Sequence, residues 1–204
     1  MMTAMPNAAV TIWFDYACPH SYHALGQLEE LAPTLGLEID RRPFLMRSAL
    51  VEDNPDTSAP VDVPVGARRQ PLYRPGHGSG TEPASNRSLS TLAIHAATAY
   101  AKELGLDARF YWAASREYWE RGTDLETLYT IRRLALSIGL DWEEMWPKLD
   151  SGRYHSLVLA QHEEALETGV VQTPSFRFGG TIGGRFYVGP MDAEEFRSAV
   201  CAAQ

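Results

Sequence analysis

Val10 to Tyr16 (VTIWFDY) is a short apolar run of β-branched and aromatic residues, which is the composition of a buried strand. Behind it Tyr22, Leu25, Leu28 and Leu31 recur near helical spacing as far as Gly36, a residue suited to ending a helix. Leu37 to Phe44 (LEIDRRPF) then alternates apolar with polar positions, as a half-buried strand does. Strand, helix and strand in this order predict a βαβ unit with parallel strands and a right-handed crossover.

The periodicity then disappears. From Val51 to Ala84 six prolines (Pro55, Pro60, Pro64, Pro71, Pro75 and Pro83) fall among Gly, Asp and Ser, which predicts a long loop. Arg68, Arg69 and Arg74 within it read as a solvated face, with an anionic substrate as the alternative. Helical pattern follows: Ser88 to Leu104 ending at Gly105, then Asp107 to Glu120. A helix capped by Asp124 carries Leu125, Leu128, Ile131, Leu134 and Leu136 to Gly139, another is capped by Asp141, and Gly152 to Glu167 closes the set. Ser175-Phe176-Arg177-Phe178 and Arg185-Phe186-Tyr187-Val188, around a glycine-rich turn, predict a hairpin. Asp192 and Glu195 then form a capping box for a last helix through Ala203.

The bulk properties narrow the class of function. At 204 residues, 45% hydrophobic and 22% charged, the chain can bury a full core as one domain carrying an insertion. A formal net charge of -8, with no basic cluster, excludes a phosphate-neutralising nucleic-acid binder. The start, MMTAMPNAAV, has neither the positive charge nor the apolar core of a secretory signal, and no run approaches a membrane span, so a cytoplasmic location is expected. The two cysteines, Cys18 and Cys201, are no disulfide framework and should be free in a reducing cytosol. The six histidines (His20, His23, His77, His95, His155 and His162) show no metal-ligand spacing, so no metal site is expected. His162, Glu163 and Glu164 read as a charged helix face.

The candidate chemistry lies in Cys18-Pro19-His20-Ser21. Pro19 suits a first helical position, because its missing N–H would be unpaired there anyway, and this puts Cys18 at the helix N-terminus. Unpaired backbone N–H groups and the positive end of the helix dipole favour a thiolate at that place. His20 would add positive charge and Ser21 a hydrogen bond, given side chains turned toward the sulfur. The bland alternative for Cys18 is a buried structural thiol.

The order of elements, Cys-Pro at the first helix and Thr173-Pro174 before the third strand, resembles thioredoxin-fold proteins of the DsbA-like group. FDYACPHSY, NRSLSTLAIHAA, SREYWERGTDL, SIGLDWEEM and GVVQTPSFRFGG resemble the FrnE-like branch over nearly the whole chain. The resemblance implies an α/β thioredoxin-like fold with an all-helical insertion. The thioredoxin-like parts are 1–50 (βαβ) and 169–204 (ββα), around a Pro-rich loop at 51–84 and the insertion at 85–168. It also implies that Pro174 is cis and that Thr173 and Pro174 face Cys18 to hold substrate, together with Pro19, Tyr22 and Tyr16.

Ser21 departs from the dithiol pattern. A second cysteine there releases mixed disulfides by attacking the first sulfur, and a serine hydroxyl cannot. Cys201 is expected to stay outside the reaction. The expectation is a thiol-disulfide oxidoreductase or isomerase with Cys18 as nucleophile, His20 and Ser21 beside it, glutathione as co-substrate and no tightly bound cofactor. Its partner would be a protein disulfide or a small thiol or aromatic substrate, and the sequence leaves the oligomeric state open. The alternatives are a glutathione-dependent isomerase similar to 2-hydroxychromene-2-carboxylate isomerases, which carry Ser-Pro-Tyr-Ser-Tyr at this place, and a non-catalytic binding protein on the same fold.

Overall fold

The computed structural model describes residues 8–46, 89–179 and 184–202. The elements are β1 (Ala8–Phe14), α1 (Pro19–Leu35), β2 (Leu37–Pro43), α2 (Leu92–Glu103), α3 (Asp107–Arg121), α4 (Leu128–Ser137), α5 (Trp142–Asp150), α6 (Arg153–Glu167), β3 (Ser175–Phe178), β4 (Arg185–Val188) and α7 (Ala193–Cys201). The predicted loop at 51–84, with its three arginines, lies outside the described residues, as does most of the predicted hairpin turn.

The chain divides into two compact units: Met1–Met46 with Leu159–Gln204, and Arg47–Val158. The division falls inside α6, whereas the sequence reading places the end of the insertion after that helix, at 168.

The first unit is built on a four-stranded sheet of order β2-β1-β3-β4. β1 runs parallel to β2 and antiparallel to β3, and β3 pairs antiparallel with β4. Both faces of β1 are covered, which is why its sequence is apolar but for Thr11. On one face Val10 and Ile12, fully buried, stand beside Phe178 and Phe176. Phe196 of α7 closes that face, its ring 5.2 Å from Phe176 at 83°, an edge-to-face contact worth about 1 kcal/mol beyond the area it buries. On the other face Trp13 clusters with Phe44, Ala165 and Val170.

Local chemistry sets the boundaries. α1 ends at Gly36, whose φ of 59° is left-handed and so suits a residue without a Cβ. Asp192 and Glu195 form the capping box of α7, and Asp141 accepts from the Glu143 and Glu144 N–H groups to start α5.

Three readings of the sequence are corrected. Asp124 does not cap α4: its carboxylate takes the Glu126 N–H in a turn, and the helix starts later, with Thr127 accepting from the Thr130 N–H. α2 begins at Leu92 after Thr91, not at Ser88. His162 is no part of a charged face. It is buried against Phe44, with ring centroids 4.7 Å apart, and its Nδ1 accepts the Leu45 N–H at 3.2 Å. Arg41, a charged residue on the face of β2 that also carries Leu37, Ile39 and Pro43, is buried too and pairs with Glu29 of α1.

In the second unit α3 and α4 are joined by Glu117, whose carboxylate takes Arg133 in a two-pronged contact (2.8 and 3.3 Å), Thr123 at 2.7 Å and Arg121. The hydrogen bond from Arg133 is the main reason that its pKa is lowered to about 2.

Candidate active site

The site is built where β1 hands over to α1. β1 ends at Phe14 and α1 starts at Pro19, so the chain must reverse within four residues. A turn does this: the Cys18 N–H donates to the Asp15 carbonyl at 3.1 Å. The Asp15 carboxylate, on a residue only 2% exposed, reinforces the turn by accepting the Ala17 N–H at 2.9 Å. Its other oxygen accepts the Met46 N–H, just past β2, at 2.7 Å.

Cys18 is therefore the N-cap of α1, in extended conformation (φ -94°, ψ 113°), with Pro19 opening the helix. Its side chain makes no capping bond to the helix. The thiol instead donates to the Thr173 carbonyl at 3.4 Å, across 155 residues of sequence. The Thr173-Pro174 bond that follows is cis. Cys18 is 2% exposed.

Around the sulfur, two hydroxyls are buried without a hydrogen-bond partner, Ser21 Oγ and Thr173 Oγ1. Ser21 lies one helical turn after Cys18, on the same side of the helix. His20 is half-buried at the second helical residue, and Tyr22 is buried just beyond it. Tyr16 sits within the turn, 1% exposed, with its ring edge-on to Phe14 at 5.4 Å. Cys18, Pro19, His20, Ser21 and Tyr22 thus share the first turns of α1, and the cysteine reaches the Thr173-Pro174 segment directly. Cys201 is exposed at the end of α7, and both cysteines are free.

The sequence reading missed Asp15. Its signal was an aspartate at the head of a four-residue turn, able to accept the N–H two positions on. A cavity of about 120 Å³ lies elsewhere, bounded by Trp13, Arg42, Glu164 and Arg177, and holds none of these residues. Among the described residues no group of His, Cys, Asp and Glu is arranged to hold a metal ion, and no helix is long and apolar enough to cross a membrane.

A cysteine capping the helix after the first strand, facing a cis proline at the start of the third, on a sheet of order β2-β1-β3-β4, defines a thioredoxin-like fold of the α/β class. Residues 9–200 match the family model of the DSBA-like thioredoxin domain, and the chain belongs to that family. No curated protein matches the sequence. Among solved structures, a probable DsbA oxidoreductase from Streptomyces coelicolor is 22% identical, with a TM-score of 0.67 over 96% of this chain and 89% of its own. The cytosolic disulfide reductase DsbM from Pseudomonas aeruginosa, solved with GSH, is 16% identical, with a TM-score of 0.61 over 96% and 95%. A 2-hydroxychromene-2-carboxylate isomerase is 17% identical, with a TM-score of 0.64 over 95% and 93%. At these identities the likeness shows the fold.

Proposed function

We propose that the protein is a thiol-disulfide oxidoreductase that works through Cys18 alone, with glutathione as its co-substrate. The observation that carries this reading is the placement of the Cys18 sulfur, 3.4 Å from the carbonyl before cis Pro174, with a serine where a dithiol enzyme has its second cysteine. The Cys18 thiolate attacks a glutathionylated disulfide at the glutathione sulfur, forming a Cys18–glutathione mixed disulfide and releasing the substrate thiolate. A second glutathione thiolate then attacks the glutathione sulfur of that adduct. Oxidised glutathione leaves and the Cys18 thiolate is restored, so electrons balance without a second protein sulfur.

The sulfur lies at the N-terminus of α1, with His20 two residues on and the unpaired Ser21 hydroxyl one helical turn on as a donor available to a thiolate. Tyr16, Pro19, Tyr22, Thr173 and Pro174 form the substrate side. A cysteine only 2% exposed favours a small disulfide or a flexible segment over a rigid protein surface. DsbM, a cytosolic disulfide reductase solved with GSH, supports the glutathione link and a cytoplasmic setting.

Mass spectrometry after incubation with oxidised glutathione tests the reading. The adduct should map to Cys18, persist in Cys201→Ser and vanish completely in Cys18→Ser. An adduct on Cys201 alone, or none at all, rejects it.

The second reading is a glutathione-dependent isomerase, favoured by the fold shared with 2-hydroxychromene-2-carboxylate isomerase and by the unpartnered Ser21 hydroxyl, a donor for a bound thiolate. Calorimetry with reduced glutathione, run beside mass spectrometry of the adduct formed with oxidised glutathione, separates the two. An isomerase keeps its affinity in Cys18→Ser, whereas the mixed-disulfide enzyme loses its adduct.

A further inference from the structure

We infer that Asp15 is the positioning residue for the Cys18 sulfur, acting by joining the thiol turn to the chain that leaves β2. This rests on the reading of Cys18 as the nucleophile. Three successive amides after β2 are each held by a different part of the fold: Phe44 N–H by the Phe14 carbonyl at 2.9 Å, Leu45 N–H by His162 Nδ1 at 3.2 Å, and Met46 N–H by Asp15 Oδ2 at 2.7 Å. The third tie ends on the carboxylate whose Oδ1 holds Ala17, the residue before Cys18. One side chain thereby fixes the thiol turn against an anchored strand end.

A turn before a helix needs only one side-chain acceptor, and Ser, Thr or Asn supplies it without the cost of burying a charge. The second oxygen is what a carboxylate adds, because it accepts on both atoms, whereas an amide turns one of them into a donor. Asp15 uses both oxygens and is 2% exposed. The demand met by a buried carboxylate here is therefore the link between two backbone segments. Attack on a disulfide needs the incoming sulfur in line with the breaking S–S bond, so a small displacement of the turn costs rate even when the thiolate itself is intact.

The test compares two reactions of Cys18 in the full chain, at a pH where alkylation has reached its plateau. Oxidised glutathione must be seated on the protein to bring its S–S bond in line, whereas iodoacetamide is small and aligns itself once it reaches the sulfur. The ratio of the two rates removes any change in thiolate population. In Asp15→Asn the ratio should fall about tenfold, while the iodoacetamide rate stays within about twofold of wild type. Met46→Pro removes the N–H at the far end of the link, at a residue 53% exposed, and should lower the ratio in the same direction. It also gives the answer should Asp15→Asn fail to fold. A wild-type ratio in Met46→Pro, and in Asp15→Asn where it folds, overturns the inference while leaving Cys18 the nucleophile. A wild-type protein that is alkylated yet forms no glutathione adduct overturns the functional reading itself.

Discussion

Two polar clusters in this chain, one around the buried Glu117 carboxylate and one around the buried Cys18 thiol, are finished differently. Between α3 and α4 the carboxylate of Glu117 is met by Arg133, Arg121 and Thr123, so both of its oxygens are paired. At the head of α1 the Ser21 and Thr173 hydroxyls have no partner, and the Cys18 thiol makes one weak bond to a carbonyl. A buried polar group left unpaired costs about 1–3 kcal/mol, which a fold selected for stability alone would remove. Under the proposed function the open cluster is where another molecule docks, and the closed one is structure.

The largest effect should come from opening the closed cluster. Glu117→Ala leaves Arg133 without its carboxylate and should cost about 2 kcal/mol, below the range for a buried pair because Arg133 and Arg121 are 44% and 69% exposed. Calorimetry should show this as a fall in Tm of roughly 4–8 °C, with Cys18 glutathionylation unchanged. The pH dependence has a definite sign. Pairing lowers the Glu117 pKa to about 2, so its contribution is fully present above the ordinary carboxylate range and is lost as pH falls through that range toward 2. Glu117→Gln should flatten this part of the acid-unfolding curve. A slow glutathione reaction in either variant would blur the division between structural and functional clusters.

The next effect sharpens the open side. Thr173→Val keeps the shape and removes a hydroxyl that pairs with nothing in the protein, so stability should stay the same or rise by up to about 1 kcal/mol. Affinity for glutathione, by calorimetry, should fall about fivefold to tenfold if that hydroxyl serves the ligand. A less stable variant with unchanged affinity would assign the hydroxyl to the fold instead.

How much of this was legible in the sequence follows the range of each interaction. Gly36, Asp141 and the Asp192–Glu195 box act within a turn of chain, and their spacing was readable. The Cys18-Pro19 start of α1 was readable for the same reason. Asp124 and Thr127 are both competent caps within one stretch, and only the fold decides which one the helix uses. Thr173 and Pro174 pointed to the site only through resemblance, because nothing local links them to a cysteine 155 residues away. Glu117 with Arg133, Asp15 with Met46 and His162 with Leu45 are all pairings across distant segments. His162 shows the difficulty best. Flanked by Glu163 it looks like surface, and it is buried by a strand end that its own helix gives no sign of.

That histidine supplies the smallest effect, and one that sharpens the comparison from the structural side. Its Nδ1 accepts an N–H and so carries no proton, which makes the ring neutral with its hydrogen on Nε2. Burial lowers its pKa below the ordinary 6.5, and the nearby Glu163 opposes this more weakly. The unfolded chain therefore takes up a proton near pH 6.5 while the folded chain takes it up only lower. Stability should be level above that pH and should fall as pH drops through the window between the two values, by on the order of 1 kcal/mol or less. His162→Asn can place an amide oxygen where Nδ1 accepts from Leu45 and does not titrate, so its denaturant midpoint should stay flat from pH 7.5 to 5.5 while the wild-type midpoint declines. The Leu45 bond and the Asp15 bond hold neighbouring amides of one segment, yet only Asp15 also reaches the thiol turn. His162→Asn should therefore leave the ratio of glutathionylation to alkylation at Cys18 unchanged, and a shift in that ratio would show that anchoring the strand end, from either side, is what positions the sulfur.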